Sequence, residues 1–108
     1  MMTSKTDAQS YRDTWNEIYA NRDDNPFDVE DPYEWIVQLE VGGRIRGTVL
    51  DAGCSGGHNA LYLAEKGHEV VGIDITEPAI SRAIEKAARA TAAQRDLQGY
   101  GCLHAVGI

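Results

Sequence analysis

Asp51-Ala52-Gly53-Cys54-Ser55-Gly56-Gly57 and, further along, Asp74 are the residues of this chain whose types and spacing suit chemistry on a bound ligand. Glycines at a strand-to-helix corner let the backbone come close to a ligand, and the free N–H groups at a helix start offer it hydrogen bonds. A carboxylate before the turn and another at the tip of the next apolar run add hydrogen-bond acceptors on either side. Strand, glycine turn, helix, strand, acid is the layout of a nucleoside-binding βαβ unit.

The elements that must hold these residues follow from the apolar patterning. A strand over 48–52 leads into the turn, a helix runs from about Gly57 to Lys66 and stops at Gly67, and a second strand covers 69–74. Both strands are short and apolar at consecutive positions, which predicts parallel pairing with helices over both faces. Thr76 is the expected cap of a further helix. On it Ile80, Ala83, Ile84, Ala87, Ala88 and Thr91 line one side, and Arg82, Glu85, Lys86 and Arg89 the other.

Upstream, Tyr11, Trp15, Ile18 and Tyr19 stand at i, i+4, i+7 and i+8, one face of a helix from about Thr6 to Ala20. Periodicity favours core packing for this stripe over a lid on a ligand. Residues 21–26 read as a loop. Asp31, Pro32 and Glu34 form an N-cap, first-turn proline and capping-box set for a helix over 32–40 that ends at Gly42-Gly43. After Ala93 the pattern fails: a weak strand over 100–106 is interrupted by glycine, and 94–108 reads as an irregular tail. The organisation is therefore an N-terminal helical segment (1–43), a βαβα unit (44–93) and the tail. Two strands are too few for a self-sufficient parallel sheet, so the chain has the aspect of the front part of a larger domain.

Bulk properties narrow the function. The 108 residues suffice for one small domain, and 43% hydrophobic content fits a globular protein. Of the net charge of −7, residues 1–40 carry all, with ten acids against three bases. Phosphate-backbone binding needs a basic surface, so nucleic acid is not an expected partner. No apolar run approaches the roughly 18 residues of a membrane span, and the N-terminus lacks the apolar core of a signal peptide, so no membrane role and a cytoplasmic location are expected. Two cysteines, Cys54 and Cys102, have no paired-motif spacing, and His58, His68 and His104 lack helix spacing for a metal site, so none is expected.

Residues 49–57 and 67–76 together resemble class I S-adenosylmethionine-dependent methyltransferases, with both halves of the motif at the right separation and the right helix between them. The resemblance covers about residues 44–90. Trp15, Tyr19 and Asn25-Pro26-Phe27-Asp28 are similar to the N-terminal lid of small-molecule methyltransferases of the thiopurine and tellurite-resistance type. The implied fold is a partial Rossmann-like α/β domain, parallel strands flanked by helices, with an N-terminal helical lid. S-adenosylmethionine is the implied cofactor: the backbone of Gly53, Cys54, Ser55 and Gly57 approaches its methionine part, Asp51 lies near its ammonium, Asp74 accepts from both ribose hydroxyls, and Ile75 packs on the adenine. The implied reaction is methyl transfer to a small-molecule acceptor. The family's usual turn has glycine where this chain has Ser55. The resemblance supplies no catalytic residue, and no counterpart after Leu97 for the acid that often contacts the adenine amine.

Rival readings use the same corner. A nicotinamide turn would need glycine where Ser55 and His58 stand. Gly53-Cys54-Ser55-Gly56-Gly57 matches the G-x-S-x-G nucleophile elbow literally, which would make Ser55 a hydrolase nucleophile with His68 or His104 as base. Cys54 is expected to be a small packed residue, since nothing marks a base for its thiol. The main alternative to the enzyme is a truncated or degenerate cofactor-binding module, completed by a partner chain or standing without one.

Overall fold

The computed structural model describes residues 6–20, 30–94 and 102–107. In chain order these form α1 (Asp7–Ala20), α2 (Glu34–Val41), β1 (Val49–Ala52), α3 (His58–Glu65), β2 (Glu69–Asp74), α4 (Glu77–Gln94) and β3 (Cys102–Gly107). The strands make a parallel sheet in the order β1-β2-β3, with Val49 beside Val70, Asp51 beside Gly72 and Ile73 beside Val106. Parallel neighbours need a crossover, and α3 and α4 provide the two. Strand β3 lies where the weak strand over 100–106 is read, and replaces the irregular tail in that part of 94–108. Glycines at 99 and 101, just before it, weaken its local pattern, whereas pairing along the whole of β2 supplies the order that local pattern lacks. The lid-like stretch at 25–28 and the loop at 21–26 lie outside the described residues.

The core forms where α3 meets the sheet. Ala60, Leu63 and Ala64 pack with Val70, and Ile36, Ile45, Val49 and Tyr62 close around them. Helix α3 starts at Gly57 (φ 87°) and ends at Gly67 (φ 97°), where the N–H of His68 reaches back to the Leu63 carbonyl. A Cβ on Gly57 would stand 3.2 Å from the Ala83 Cβ, so this glycine also sets how closely α3 meets α4. Val70 faces that helical layer; Leu50, of opposite parity on the neighbouring strand, is 62% exposed. The consecutive apolar strand positions predict cover on both faces, yet among the described residues only one has it.

Three local expectations are corrected. Asp31, Pro32 and Glu34 do not cap α2: Tyr33 is the N-cap residue, no side chain caps the helix, and its N–H goes to Asn59 Oδ1 at 2.8 Å. A tertiary acceptor from α3 has replaced the local one. Thr76 occupies the cap position, its carbonyl accepting from Ile80, but its own N–H donates to Asp74 Oδ1 at 2.9 Å and its hydroxyl makes no cap bond. Helix α4 is turned from the predicted stripe. Ala79, Ile80 and Ala83 are buried, as are Arg82 and Lys86, while Ile84 is exposed. Helix α1 packs on α4 as well, and Lys86 lines a cavity with Glu30, His58 and Tyr62, so α4 meets neighbours on more than one side. Lys86 Nζ reaches Glu30 Oε1 at 3.2 Å.

Helix α1 matches its prediction and has a cap the apolar pattern did not show. The Thr6 hydroxyl accepts from the Gln9 N–H (3.1 Å), and Gln9 Oε1 accepts from the Thr6 N–H (2.9 Å), a reciprocal capping box. Helix α2 ends as expected, with the N–H groups of Gly42 and Gly43 on the Gln38 and Glu40 carbonyls. It is tied to the entry of β2 by the Glu40 carboxylate on His68 Nε2. Among the described residues no helix is long and apolar enough to cross a membrane.

Candidate functional site

The turn after β1 is built by main-chain bonds to β2. The N–H groups of Gly53 and Cys54 both donate to the Ile73 carbonyl, at 2.8 and 2.9 Å, and the Gly57 N–H closes back on the Cys54 carbonyl at 2.9 Å. Gly53 (φ 71°), Ser55 (φ 53°) and Gly57 (φ 87°) are left-handed. Only glycine reaches that region freely, so Ser55 stands in a conformation side chains disfavour. Asp74, 7% exposed at the tip of β2, holds the turn to the next loop: Oδ2 accepts from the Ser55 N–H and Oδ1 from the Thr76 N–H, both at 2.9 Å. Each oxygen keeps acceptor capacity beyond its one backbone bond.

Two cavities flank the turn. The first, about 340 Å³, is lined by Tyr11, Trp15 and Tyr19 of α1 and, opposite them, by Gly53, Ser55, Asp74 and Ile75. Its aromatic wall is a ladder: Tyr11 meets Trp15 edge-on at 6.1 Å, and Trp15 meets Tyr19 at 6.1 Å with a 34° tilt. The Tyr19 hydroxyl donates to Ser55 Oγ at 2.6 Å, so α1 touches the turn directly. The second cavity, about 370 Å³, shares Gly53 and Ser55 and extends past Asp51 to Tyr33, Trp35 and His58. Gly53 lines both cavities, and a Cβ there would meet nothing within 4 Å.

The electrostatics differ across the turn. Burial, with a smaller contribution from the Asp74 charge, pushes the Asp51 carboxyl up to about 6. Its Oδ2 is buried without a hydrogen-bond partner, a group that a donor or cation would satisfy. Burial, then the charges of Asp51 and Asp74, pushes the Cys54 thiol up to about 12. Cys54 is therefore a neutral packed residue at ordinary pH, as its setting in the sequence predicts.

Of the residues singled out in the sequence, Gly53, Ser55, Asp74 and Ile75 meet at the first cavity, and Asp51 joins Gly53 and Ser55 at the second. Cys54 and Gly57 line neither; Gly57 instead packs on Ala83. The aromatic stripe of α1, which periodicity favours as core over lid, lines the first cavity, with Tyr19 also buried. Sequence reasoning missed the Tyr33, Trp35 and Asn59 side of the second cavity. No spacing signals it, because α2 and α3 bring those residues together only by packing. The hydrolase reading finds no support: Ser55 Oγ meets the Tyr19 hydroxyl, His58 is buried edge-on against the Tyr33 ring at 5.0 Å, and His68 sits on Glu40.

A sequence profile of the methyltransferase-domain family matches residues 49–103, just over half of the chain. An uncharacterized methyltransferase of Schizosaccharomyces pombe is 57% identical over 51 residues, covering 47% of this chain and 33% of its own. The 2-heptyl-1-hydroxyquinolin-4(1H)-one methyltransferase of Mycobacteroides abscessus is 43% identical over 74 residues, 68% of this chain and 32% of its own. The chain thus spans about a third of the length of these curated relatives. The fold is similar to that of magnesium protoporphyrin IX methyltransferase from Synechocystis, solved with bound S-adenosylmethionine, at a TM-score of 0.69 and 21% identity over 99% of this chain and 57% of that one. The profile match over the strand, glycine turn, helix and acid described above makes this chain a member of the class I S-adenosylmethionine-dependent methyltransferases.

Proposed function

We propose that the chain binds S-adenosylmethionine across the glycine turn, and that it serves methyl transfer to a small-molecule acceptor. The observation that carries the binding reading is the pair of unmet capacities on either side of Gly53. Asp74, with spare acceptor capacity, lines one cavity, and Asp51, whose buried Oδ2 has no partner, lines the other. The residues present fit the cofactor: Asp74 takes the ribose hydroxyls, Ile75 the adenine, Asp51 the ammonium, and the open backbone at Gly53 the methionine chain. The backbone of Cys54, Ser55 and Gly57 shapes the same corner.

When bound, the cofactor supplies an electrophilic methyl on a sulfonium sulfur. The residues of this chain contribute positioning and exclusion of water. Asp74 fixes one end, Asp51 the other, and the α1 aromatics shield the first cavity. No residue is assigned as catalytic. A completing polypeptide belongs to the same proposal, because Leu50 exposes surface that a parallel sheet normally buries. This observation also favours a second reading, a cofactor-binding module that is inactive until completed. A cytoplasmic setting is proposed, where the cofactor is made.

Calorimetric titration with S-adenosylhomocysteine, followed by amide NMR, tests the binding. Heat of binding with shifts confined mainly to residues 51–75 is expected. Absence of both at millimolar ligand, with the protein folded, would remove the cofactor reading. Methyl transfer by the chain alone, against transfer only with a polypeptide covering the rest of a relative's domain, separates the enzyme from the module.

A further inference from the structure

Ser55 is held from two sides. Its N–H is taken by Asp74 Oδ2 at 2.9 Å, and its Oγ accepts from the Tyr19 hydroxyl at 2.6 Å. Between those grips its backbone is left-handed, a state glycine adopts freely and serine does not. Tyr19 is 2% exposed at the last turn of α1, and its ring continues the ladder through Trp15 to Tyr11. That ladder is one wall of the first cavity, and Gly53, Ser55, Asp74 and Ile75 are the other. The hydroxyl contact therefore links the turn directly to α1, beside the packing of α1 on α4.

We propose that Tyr19 is a positioning residue acting through Ser55: its hydroxyl latches α1 onto the glycine turn, holding the disfavoured turn geometry and closing the aromatic wall over the cofactor cavity. A glycine in place of Ser55 would neither need the clamp nor be able to form it, so the latch is a device of this chain's own departure from the usual turn. The effect on affinity rests on the cofactor reading above; the effect on α1 does not.

Two readouts keep them apart. In the free protein, hydrogen exchange followed by mass spectrometry should show α1 exchanging at least threefold faster in Tyr19→Phe and in Ser55→Ala, with α3 and β2 unchanged. Unaltered exchange in α1 would overturn the latch with no ligand involved. For binding, S-adenosylhomocysteine is titrated into the wild type, Tyr19→Phe, Ser55→Gly and the double variant. Tyr19→Phe should weaken binding about three- to tenfold, the range for one lost hydrogen bond, yet change it less than about twofold when Ser55→Gly is also present. Ser55→Ala, which keeps the backbone restriction and loses the bond, should bind worse than Ser55→Gly. Equal weakening by Tyr19→Phe in both backgrounds would show that Tyr19 acts on the cavity directly and would overturn the proposal. If no variant binds while α1 still loosens on breaking the bond, the latch stands and the cofactor reading falls.

Discussion

The two acids that flank the glycine turn sit in opposite situations. Asp74 is buried with both oxygens already accepting backbone N–H groups, from Ser55 and from Thr76. Asp51 is half-buried, but its buried Oδ2 has no partner and its carboxyl is raised to about 6. The first acid is part of the framework that makes the turn; the second keeps a buried oxygen with no protein partner, the one proposed to meet the ligand. One motif thus divides its labour, and a variant at each acid should fail in a different way.

Asp74→Ala should have the largest effect. It removes two hydrogen bonds to a charged group as well as the proposed ribose contact, so a loss of about 3 kcal/mol or more is expected in stability, together with loss of ligand binding. Chemical denaturation beside calorimetry measures both. Stability left intact with only binding lost would place Asp74 on the ligand side and erase the contrast.

The glycines extend the comparison. Gly57→Ala meets both a left-handed backbone and the Ala83 methyl at 3.2 Å, and should destabilise by about 2 kcal/mol. Gly53→Ala meets the backbone restriction alone, in open space, and should cost about 1 kcal/mol in the free protein while hindering the ligand. Thermal melts with and without S-adenosylhomocysteine separate the two. Equal destabilisation by both would contradict the packing difference.

Asp51→Asn should leave the fold in place and act on charge. The raised carboxyl means that the folded chain holds a proton which the unfolded chain, near its ordinary value of 3.8, has given up. This contribution to stability is fully present at low pH and is lost as pH rises from about 4 through about 6. Binding of a ligand ammonium runs the other way, since it needs the carboxylate, and should strengthen as pH rises through about 6. Calorimetry from pH 5 to 7.5 should show this in the wild type, with affinity in Asp51→Asn about tenfold lower at the upper end and flat across the range. An identical pH profile in the variant would free Asp51 of the role. Smallest in effect but direct, amide exchange at residues 102–107 should be slowed by the pairing of β3 with β2. Exchange at the random-coil rate would return the tail to an irregular state.

The motif with its strands β1 and β2, and helices α1 and α3, were legible because each rests on local chemistry. Glycines demand a turn, alternation of helix-face residues demands a helix, and an acid at a strand tip needs no distant partner to be noticed. The rotation of α4 and the N-cap of α2 were not legible, and β3 only weakly so, because each depends on a neighbour far away in sequence. Arg82 and Lys86 look like surface until the fold buries them; Asp31 looks like a cap until Asn59 takes the Tyr33 N–H. Strand β3 has a poor local pattern and takes its order from β2.

The division also runs through the site itself. The sequence by itself determined the βαβ unit, the two acids and the family, since spacing along the chain brings Asp51, Gly53 and Asp74 to one corner in any right-handed crossover. Only the tertiary structure decided that the α1 aromatics wall a cavity and that Gly57 serves packing. The same packing joins Ser55, the residue that departs from the usual turn, to Tyr19 across 36 positions. A hydrogen bond of 2.6 Å depends on where two elements come to rest against each other, and no local periodicity encodes that distance.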